Sequence, residues 1–371
     1  MASHAAYPKR PSPGVTPALV AALDAAYRKR ALRVVMLALV ATLAWAASAL
    51  AHAEEAVDVI CSAPIAWCEA IAVAFHGQTG IRVNVTQKDA AEAMAQVTYE
   101  RNDPRHDVWY AGSGHGHLQA ANLELTEPYH SPRLEDLHAW AVKYAEQSRW
   151  HSVAIDAAVL VFGVNRPILA RKKVSGPACW EDLARPEYRH ALLIGDPHTT
   201  SAAYLALATL VQLFGEERAF TIMKGVHANV SGYRRTESGT VRAVARGESG
   251  VGVAFLHEVV AEIVDRFPVA FVVPCEGTGY DVDAMSIIKG ARHAANAKRF
   301  YDWALTPAAQ KIAADTKNFA LPSNKATRQP TAVPATASLR LIAYDFVKYA
   351  DPAERQRLLE RWDREVFALP R

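Results

Sequence analysis

The chain has 371 residues, 51% of them hydrophobic and 21% charged, with 19 Gly, 20 Pro and 4 Cys. That balance excludes a disordered tail, a collagen-like chain and a disulfide-dense mini-protein. Lys and Arg number 41 against 38 Asp and Glu, a net charge of +3 that is too small a bias to suggest nucleic acid as a partner.

Arg28, Lys29, Arg30 and Arg33 precede an uncharged apolar run from Val34 to Leu50, which ends in Ala51-His52-Ala53 before Glu54 and Glu55. A positive region, an apolar region and a small-residue site in that order predict a cleavable secretory signal over residues 1–53. The competing reading is an uncleaved anchor, because the run approaches the roughly 17–25 residues that span a bilayer. Its alanine-rich, weakly apolar character and the well-formed cleavage site favour cleavage. Removing those 53 residues leaves 318, with 35 basic against 37 acidic residues, so the expected mature protein is exported to the periplasm and slightly acidic. At about 150 residues per domain, that length suggests two domains.

Export makes the cysteines informative, since an even count in an oxidising compartment suggests bridges. Cys61 and Cys68 lie close together, and Cys179 and Cys275 would then form a second pair. Four cysteines allow three connectivities, and the sequence does not choose among them.

Short β-rich runs alternate with longer helical patterns, which predicts an α/β fold with crossover helices. Ala56–Ile60 reads as a buried strand, Ala66–His76 as a helix, Ile81–Val85 as a strand and Ala90–Glu100 as a helix. Asp107–Tyr110 is a third strand, followed by the turn Gly112-Ser113-Gly114. This β-α-β-α-β unit describes half of a doubly wound domain. A long β run over 152–164 could carry the chain out of that first lobe. Beyond it come the strand Ala191–Ile194, helices Ala203–Phe214 and Ser238–Arg246, the strand Val251–Phe255, a helix to about Phe267 and the strand Val269–Val273. Met285–Ile288 and a helix over Ala295–Leu305 follow. Gln329–Ser338 reads as a surface linker, with terminal helices over Leu339–Tyr349 and Pro352–Phe367.

In doubly wound sheets ligands bind beyond the carboxyl ends of strands, where helix starts present unpaired N–H groups. Four segments occupy such positions: Cys61-Ser62-Ala63-Pro64 before the helix holding Trp67, Gly112-Ser113-Gly114-His115, Asp196-Pro197-His198-Thr199-Thr200-Ser201, and His257-Glu258. The third crowds three hydroxyls at the start of an apolar helix, a neutral cradle suited to phosphate, phosphonate or carboxylate. Helix capping alone would need only one of them. His257 and Glu258 could exchange hydrogen bonds with sugar-like hydroxyls or an amine. Glu276 precedes Gly277-Thr278-Gly279, where glycine permits close backbone approach. His115-Gly116-His117 hints at metal only weakly, lacking ligands at metal spacing. No dinucleotide fingerprint, phosphate-binding Walker loop, nucleophile elbow or H-E-x-x-H occurs.

The phrases Cys61-Ser62-Ala63, Trp67-Cys68, Thr79-Gly80-Ile81-Arg82-Val83, Asp107-Val108-Trp109, Cys179-Trp180-Glu181-Asp182-Leu183, Asp196-Pro197, Cys275-Glu276-Gly277-Thr278-Gly279-Tyr280, Met285-Ser286-Ile287-Ile288-Lys289-Gly290-Ala291 and Phe300-Tyr301-Asp302-Trp303-Ala304-Leu305 together resemble the extracellular solute-binding proteins of ABC importers. More narrowly they resemble the branch holding ferric-ion-binding and hexose-phosphate-binding receptors. The resemblance implies a type II periplasmic-binding-protein fold, in which two α/β lobes are joined by two hinge strands, close on a ligand and present it to a membrane permease. It assigns 54–160 and 275–371 to one lobe and 161–274 to the other. Iron-binding members place adjacent tyrosines where this chain has Leu256-His257-Glu258, so ferric iron is disfavoured. Phosphate-ester-binding relatives carry a His-acid pair there, a Ser/Thr cluster and an acid before Gly-Thr-Gly. This chain differs in having Ser201-Ala202-Ala203 where Ser-Gly-Thr is usual and Glu258 where Asp is usual.

The resulting expectation is a monomeric receptor, not an enzyme and without a cofactor, for a small oxyanionic solute. Its candidate ligand residues are Ser62, Ala63, Trp67, Ser113, Gly114, Thr199, Thr200, Ser201, His257, Glu258, Glu276 and Thr278. The competing functions are a metal receptor using His115, His117, His257 and Glu276, and a secreted phosphoester hydrolase.

Overall fold

The computed structural model describes residues 55–371; the expected signal over 1–53 lies outside them. No helix of the described residues is long and apolar enough to cross a membrane.

The first half opens with β1 (Ala56–Cys61), α1 (Ile65–Thr79), β2 (Arg82–Gln87), α2 (Ala90–Tyr99) and β3 (Val108–Ser113). Strands β2, β1 and β3 pair in parallel, as the β-α-β-α-β pattern predicts. Gly80 ends α1 in the left-handed region at φ 75°, its N–H reaching the His76 carbonyl at 2.8 Å. A side chain there would be strained, which explains Thr-Gly between helix and strand. The expected glycine turn at 112–114 is instead the end of β3 and the first residue of α3 (Gly114–Asn122). After β4 (Thr126–Glu127) and α4 (Ala139–Gln147) comes β5 (Val153–Asn165), which realises the predicted long run.

The second half contains α5 (Arg166–Lys172), β6 (Leu192–Gly195), α6 (Ser201–Phe214), α7 (Glu216–Asn229), β7 (Val230–Arg234), α8 (Glu237–Ala245), β8 (Val251–Phe255), α9 (Leu256–Val264) and β9 (Val269–Val272). Helix α7 and strand β7 were not expected. Gly215, at φ 77°, breaks what would otherwise read as one helix into α6 and α7. The chain then returns through β10 (Tyr280–Ile288), α10 (Ala294–Ala304), α11 (Pro307–Asp315) and β11 (Leu321–Pro322) to α12 (Phe346–Ala350) and α13 (Pro352–Trp362).

All main strands join one sheet in the order β2-β1-β3-β10-β5-β8-β6-β7. Strand β5 is shared. Its residues up to Val159 pair with β10, and from Leu160 onward they pair with β8. The sheet therefore divides at that point into two α/β lobes, with β5 and the β9–β10 connection as crossing segments.

The C-terminal region departs from expectation. The helix expected over Leu339–Tyr349 is helical only from Phe346, and the expected surface linker buries Val333 in the core. Phe346 packs on Tyr144 and His115 of the first half and on Tyr280 of the returning strand β10. Helix α13 and the turn after it grip the second half. Arg357 and Arg361 bind Glu216 at 2.8 and 2.7 Å, and Lys224 binds Glu365 at 3.0 Å. The tail thus touches both halves.

The disulfides are Cys61–Cys68 and Cys179–Cys275, with sequence separations of 7 and 96. Loop-closure entropy scales with the logarithm of loop length, so the longer loop constrains the unfolded chain by about 5 kcal/mol and the shorter by about 2 kcal/mol. Replacing Cys179 and Cys275 by Ser is expected to cost about twice the stability lost on replacing Cys61 and Cys68. Urea denaturation of the two double variants checks the ratio; equal losses would overturn it.

Arg357 and Arg361 hold the Glu216 carboxyl down to about 2. Because the folded state lowers this pKa, the stabilisation is present above the ordinary carboxylate range and lost as pH falls toward 2. Arg361→Ala is expected to lower stability by about 1 kcal/mol, and by less at high salt. Thermal denaturation at low and high ionic strength measures both effects.

Candidate functional site

Strand directions decide where the candidate residues go. Strand β3 is antiparallel to β10, and β10 is antiparallel to β5, so β1 and β3 run with β5 toward the second lobe. Strand β8 is antiparallel to β5 and parallel to β6, so these two run toward the first lobe. The carboxyl ends of β1 and β3 therefore face those of β6 and β8 across the junction, the position where α/β sheets bind ligands.

From the first lobe come Ser62 and Ser113. The Ser62 hydroxyl accepts from the indole of buried Trp109 at 2.9 Å, and a Cβ on Gly112 would lie 2.9 Å from that of Ser62. Gly112, at φ 89°, thus serves a close approach and an unusual backbone angle together. Ser113 donates to Asp281 at 2.9 Å and caps α3 by accepting from the His115 amide at 3.3 Å. Gly114 is packed too tightly for a side chain, with Val282 2.5 Å from a hypothetical Cβ, and its carbonyl accepts from Tyr144 at 2.8 Å. The Ala63 carbonyl accepts from Gln87 at 3.2 Å. Trp67 is buried, edge-on to Tyr110 at 5.7 Å.

From the second lobe come the hydroxyl turn and the start of α9. Thr200 is buried and donates to the Asp196 carbonyl at 2.9 Å, so its hydroxyl holds the turn. Thr199 and Ser201 are exposed beside it. Arg355 of α13 lies over Tyr204 at 4.0 Å with Nη2 3.5 Å from the Pro197 carbonyl. Unlike Arg357 and Arg361, it forms no ion pair among the described residues.

His257 stacks on Phe255 at 5.5 Å, and its Nδ1 is buried without a hydrogen-bond partner among the described residues. Burial lowers its pKa to about 4, so the ring is neutral near pH 7. Glu258 begins the same helix.

Glu276 and Thr278 serve the crossing segment. Glu276 accepts from the amides of Trp180 at 2.9 Å and Glu181 at 3.4 Å, next to the Cys179–Cys275 bond. Thr278 is buried and donates to the Leu160 carbonyl at 2.8 Å, where β5 changes partners.

The metal set does not assemble. His117 is buried against Trp109, with Nε2 donating to the Ala111 carbonyl at 3.1 Å and Nδ1 accepting from Ser286 at 2.8 Å. Among the described residues, no cluster of three potential metal ligands contains His115, His117 or His257.

Sequence reasoning missed three acids on the crossing strands: Asp156, Asp281 and Asp283. Asp156 stands opposite Asp283 in the β5–β10 register, and a register shift follows directly at Asp283/Ala284. Burial and the neighbouring Asp281 raise Asp283 to about 7. The signal was present: Asp156 is the sole charge in an apolar run, and Asp281 and Asp283 alternate, which puts both on one face of a strand. Arg355 gave no local signal, because it arrives from the far end of the chain.

Two halves joined at a shared strand, with helix starts facing each other across the join, define a hinged binding protein. The sequence matches the family of bacterial extracellular solute-binding proteins over residues 103–349, and the chain belongs to that family. It is 38% identical over 325 residues to an uncharacterized protein of Haemophilus influenzae, covering 86% of this chain and 93% of that one. Among solved structures it is similar to the periplasmic binding protein AfuA from Actinobacillus pleuropneumoniae with exogenous fructose-6-phosphate bound. That match has TM-score 0.73 and 34% identity, over 85% of this chain and all of that one. It is also similar to the periplasmic binding protein P5PA, with TM-score 0.70 and 29% identity over 84% of this chain and all of that one. The protein is accordingly the solute-binding component of an ABC importer, which takes up a small solute and delivers it to a permease.

His117 is buried and His257 half-buried with its Nδ1 buried; both are neutral near pH 7 but differ in partners, so their substitutions should differ. His117→Ala removes two internal hydrogen bonds and is expected to cost about 2 kcal/mol or more of stability. His257→Ala is expected to leave stability within about 1 kcal/mol. Both rings have pKa values lowered to about 4, so they favour the folded state above about 6.5 and that contribution declines as pH falls toward 4. Thermal midpoints of each variant from pH 8 to 4 check this: His117→Gln should flatten the acid slope.

Proposed function

We propose that the chain is a periplasmic receptor for a phosphate ester of a small hydroxylated molecule, a sugar phosphate being the leading class. The observation that carries this reading is the buried, unpartnered Nδ1 of His257 at the start of α9, the helix that follows the carboxyl end of β8. A buried nitrogen without a partner is costly, and a ligand hydroxyl or phosphate oxygen would satisfy it.

Three further features support it. Thr199, Ser201 and the positive end of the α6 dipole suit an oxyanion, with Arg355 supplying positive charge beside the Pro197 turn. Ser62 and Ser113 supply neutral polar groups from the opposite side. AfuA, the 34%-identical relative, has fructose-6-phosphate bound.

In this reading Ser62, Ala63, Ser113 and Gly114 line the first-lobe side, and Thr199, Thr200 and Ser201 line the anion end. His257 and Glu258 read the remainder, while Trp67, Glu276 and Thr278 hold the surrounding shape. The lobes are proposed as 54–160 with 275–371, and 161–274, the tail lying across both. The receptor acts as a monomer, exported by a cleavable signal over 1–53. It binds without turnover, and ligand bridging of both lobes favours the closed form. Ferric iron fits poorly, because Leu256-His257-Glu258 supplies no tyrosine at the start of α9.

The test is isothermal calorimetry with fructose-6-phosphate, glucose-6-phosphate and inorganic phosphate. His257→Ala and Ser201→Ala should each weaken binding of the preferred ester at least about tenfold without changing the thermal midpoint. No heat with any phosphate ester, release of phosphate, or unchanged affinity in both variants would overturn the proposal.

A further inference from the structure

A small cavity of about 20 Å³ lies between β5, α1, α11 and the loop 327–333, within the first lobe. That is room for one water or one ion. Four buried polar atoms without hydrogen-bond partners line it: both carboxylate oxygens of Asp156, Thr327 Oγ1 and Gln329 Oε1. Buried polar groups are nearly always satisfied, so four at one cavity require an occupant.

The chemistry of the occupant follows from the lining. All four can accept, and Thr327 alone among them can also donate. The Trp67 indole beside them stands edge-on to Tyr110 and is taken up by it. Asp156 is 3% exposed, and its strand neighbours in register are Asp283 and Pro322. Proline has no N–H to offer, and the Asp283 amide lies near Asp156 but outside hydrogen-bond geometry.

No Lys or Arg pairs with Asp156, Asp281 or Asp283 among the described residues; Lys311, which also lines the cavity, is engaged by Asp315, and Arg328 is exposed. Burial pushes the Asp156 carboxyl well above its ordinary range, as expected for a charge left without compensation. A water molecule would offer two donors to these four atoms and no positive charge to favour the ionised carboxylate. A cation satisfies the acceptors and neutralises the carboxylate together.

We infer that Asp156, Thr327 and Gln329 form a site for one small hard cation, of the oxygen-liganded kind that calcium represents. Carboxylate, amide carbonyl and hydroxyl oxygens with no sulfur or imidazole among them select such ions over softer metals. The loop 327–333 supplies two ligands, so the ion fastens that loop to β5 three residues before it changes partners. The site is separate from the proposed anion cradle at the α6 start.

The experiment is a thermal-shift and calorimetric titration of chelator-treated protein with Ca²⁺, Mg²⁺ and Na⁺, on the natural chain and on Asp156→Asn and Gln329→Ala. The expected result is a midpoint raised by about 2 °C or more with millimolar Ca²⁺ in the natural chain, an effect abolished in Asp156→Asn and weakened about tenfold or more in affinity in Gln329→Ala. Fructose-6-phosphate calorimetry with and without Ca²⁺ keeps this result distinct from the ester reading. No shift with any of the three ions would overturn the inference and leave a bound water as the occupant. An equal shift in Asp156→Asn would overturn it by placing the ion elsewhere. Loss of ester binding in Asp156→Asn without any cation effect would overturn it by assigning Asp156 to the solute.

Discussion

The structure depends on one strand changing partners. Up to Val159, β5 hydrogen-bonds to β10; from Leu160 it hydrogen-bonds to β8. Because the ladder fixes strand direction, this single change makes two sets of parallel strands point their carboxyl ends at each other. Ser62, Ser113, Thr199, Ser201, His257 and Glu258, all assigned to the solute, sit at those ends or at the helix starts that follow them. Thr278, buried and bonded to the Leu160 carbonyl, secures the return crossing at the same point. A long strand, apolar but for Asp156 and its last residue Asn165, suits this place, since it is covered on both faces by helices from two lobes.

The tail adds a constraint beyond the two crossings. Phe346 is held by aromatic rings of the first lobe, and Arg357 and Arg361 are held by acids at the start of α7 in the second. Tyr204 donates to the Tyr349 carbonyl at 2.9 Å, adding a buried bond between α6 and the tail. Closure of the lobes must carry this segment along or bend it where α12 meets α13, at Asp351-Pro352. Surface ion pairs are individually weak, so a charged clasp at one end with an aromatic anchor at the other restrains motion without forbidding it.

The first lobe was largely legible in the sequence. Periodicity, Thr-Gly and the position of the apolar runs placed β1, α1, β2, α2 and β3 to within a few residues, because each is a local pattern. The same reasoning found β5, and missed α7 because Gly215 separates two helices with no intervening polar loop. It extended a helix back to Leu339, where the chain instead follows the surface of the first lobe and bonds backbone to backbone with Thr278. The hydroxyl cluster and His257-Glu258 were visible as helix starts. What the sequence hides is tertiary: Glu276 spends its carboxylate on the Trp180 and Glu181 amides, Thr200 on its own turn, and Arg355 reaches the Pro197 turn from 158 residues away.

The distribution of charge orients the proposed solute. Asp156, Asp281 and Asp283 lie on the crossing strands at the first-lobe side, close to Ser113 and Tyr110. A phosphate placed among them would meet acceptor-rich carboxyl groups, and any that ionise would repel it in a buried setting where screening is poor. The second-lobe side offers the opposite: helix-start amides, hydroxyls and the guanidinium of Arg355. A phosphate ester therefore has one favourable direction, with its anionic end toward Thr199 and Ser201 and its hydroxyls toward the acids and serines of the first lobe. Hydroxyls donate well to carboxylates, so the groups that exclude the phosphate at one end are suited to reading the sugar-like part. A solute bound this way touches both lobes with different chemistry at each end, and that difference is what ties recognition to closure.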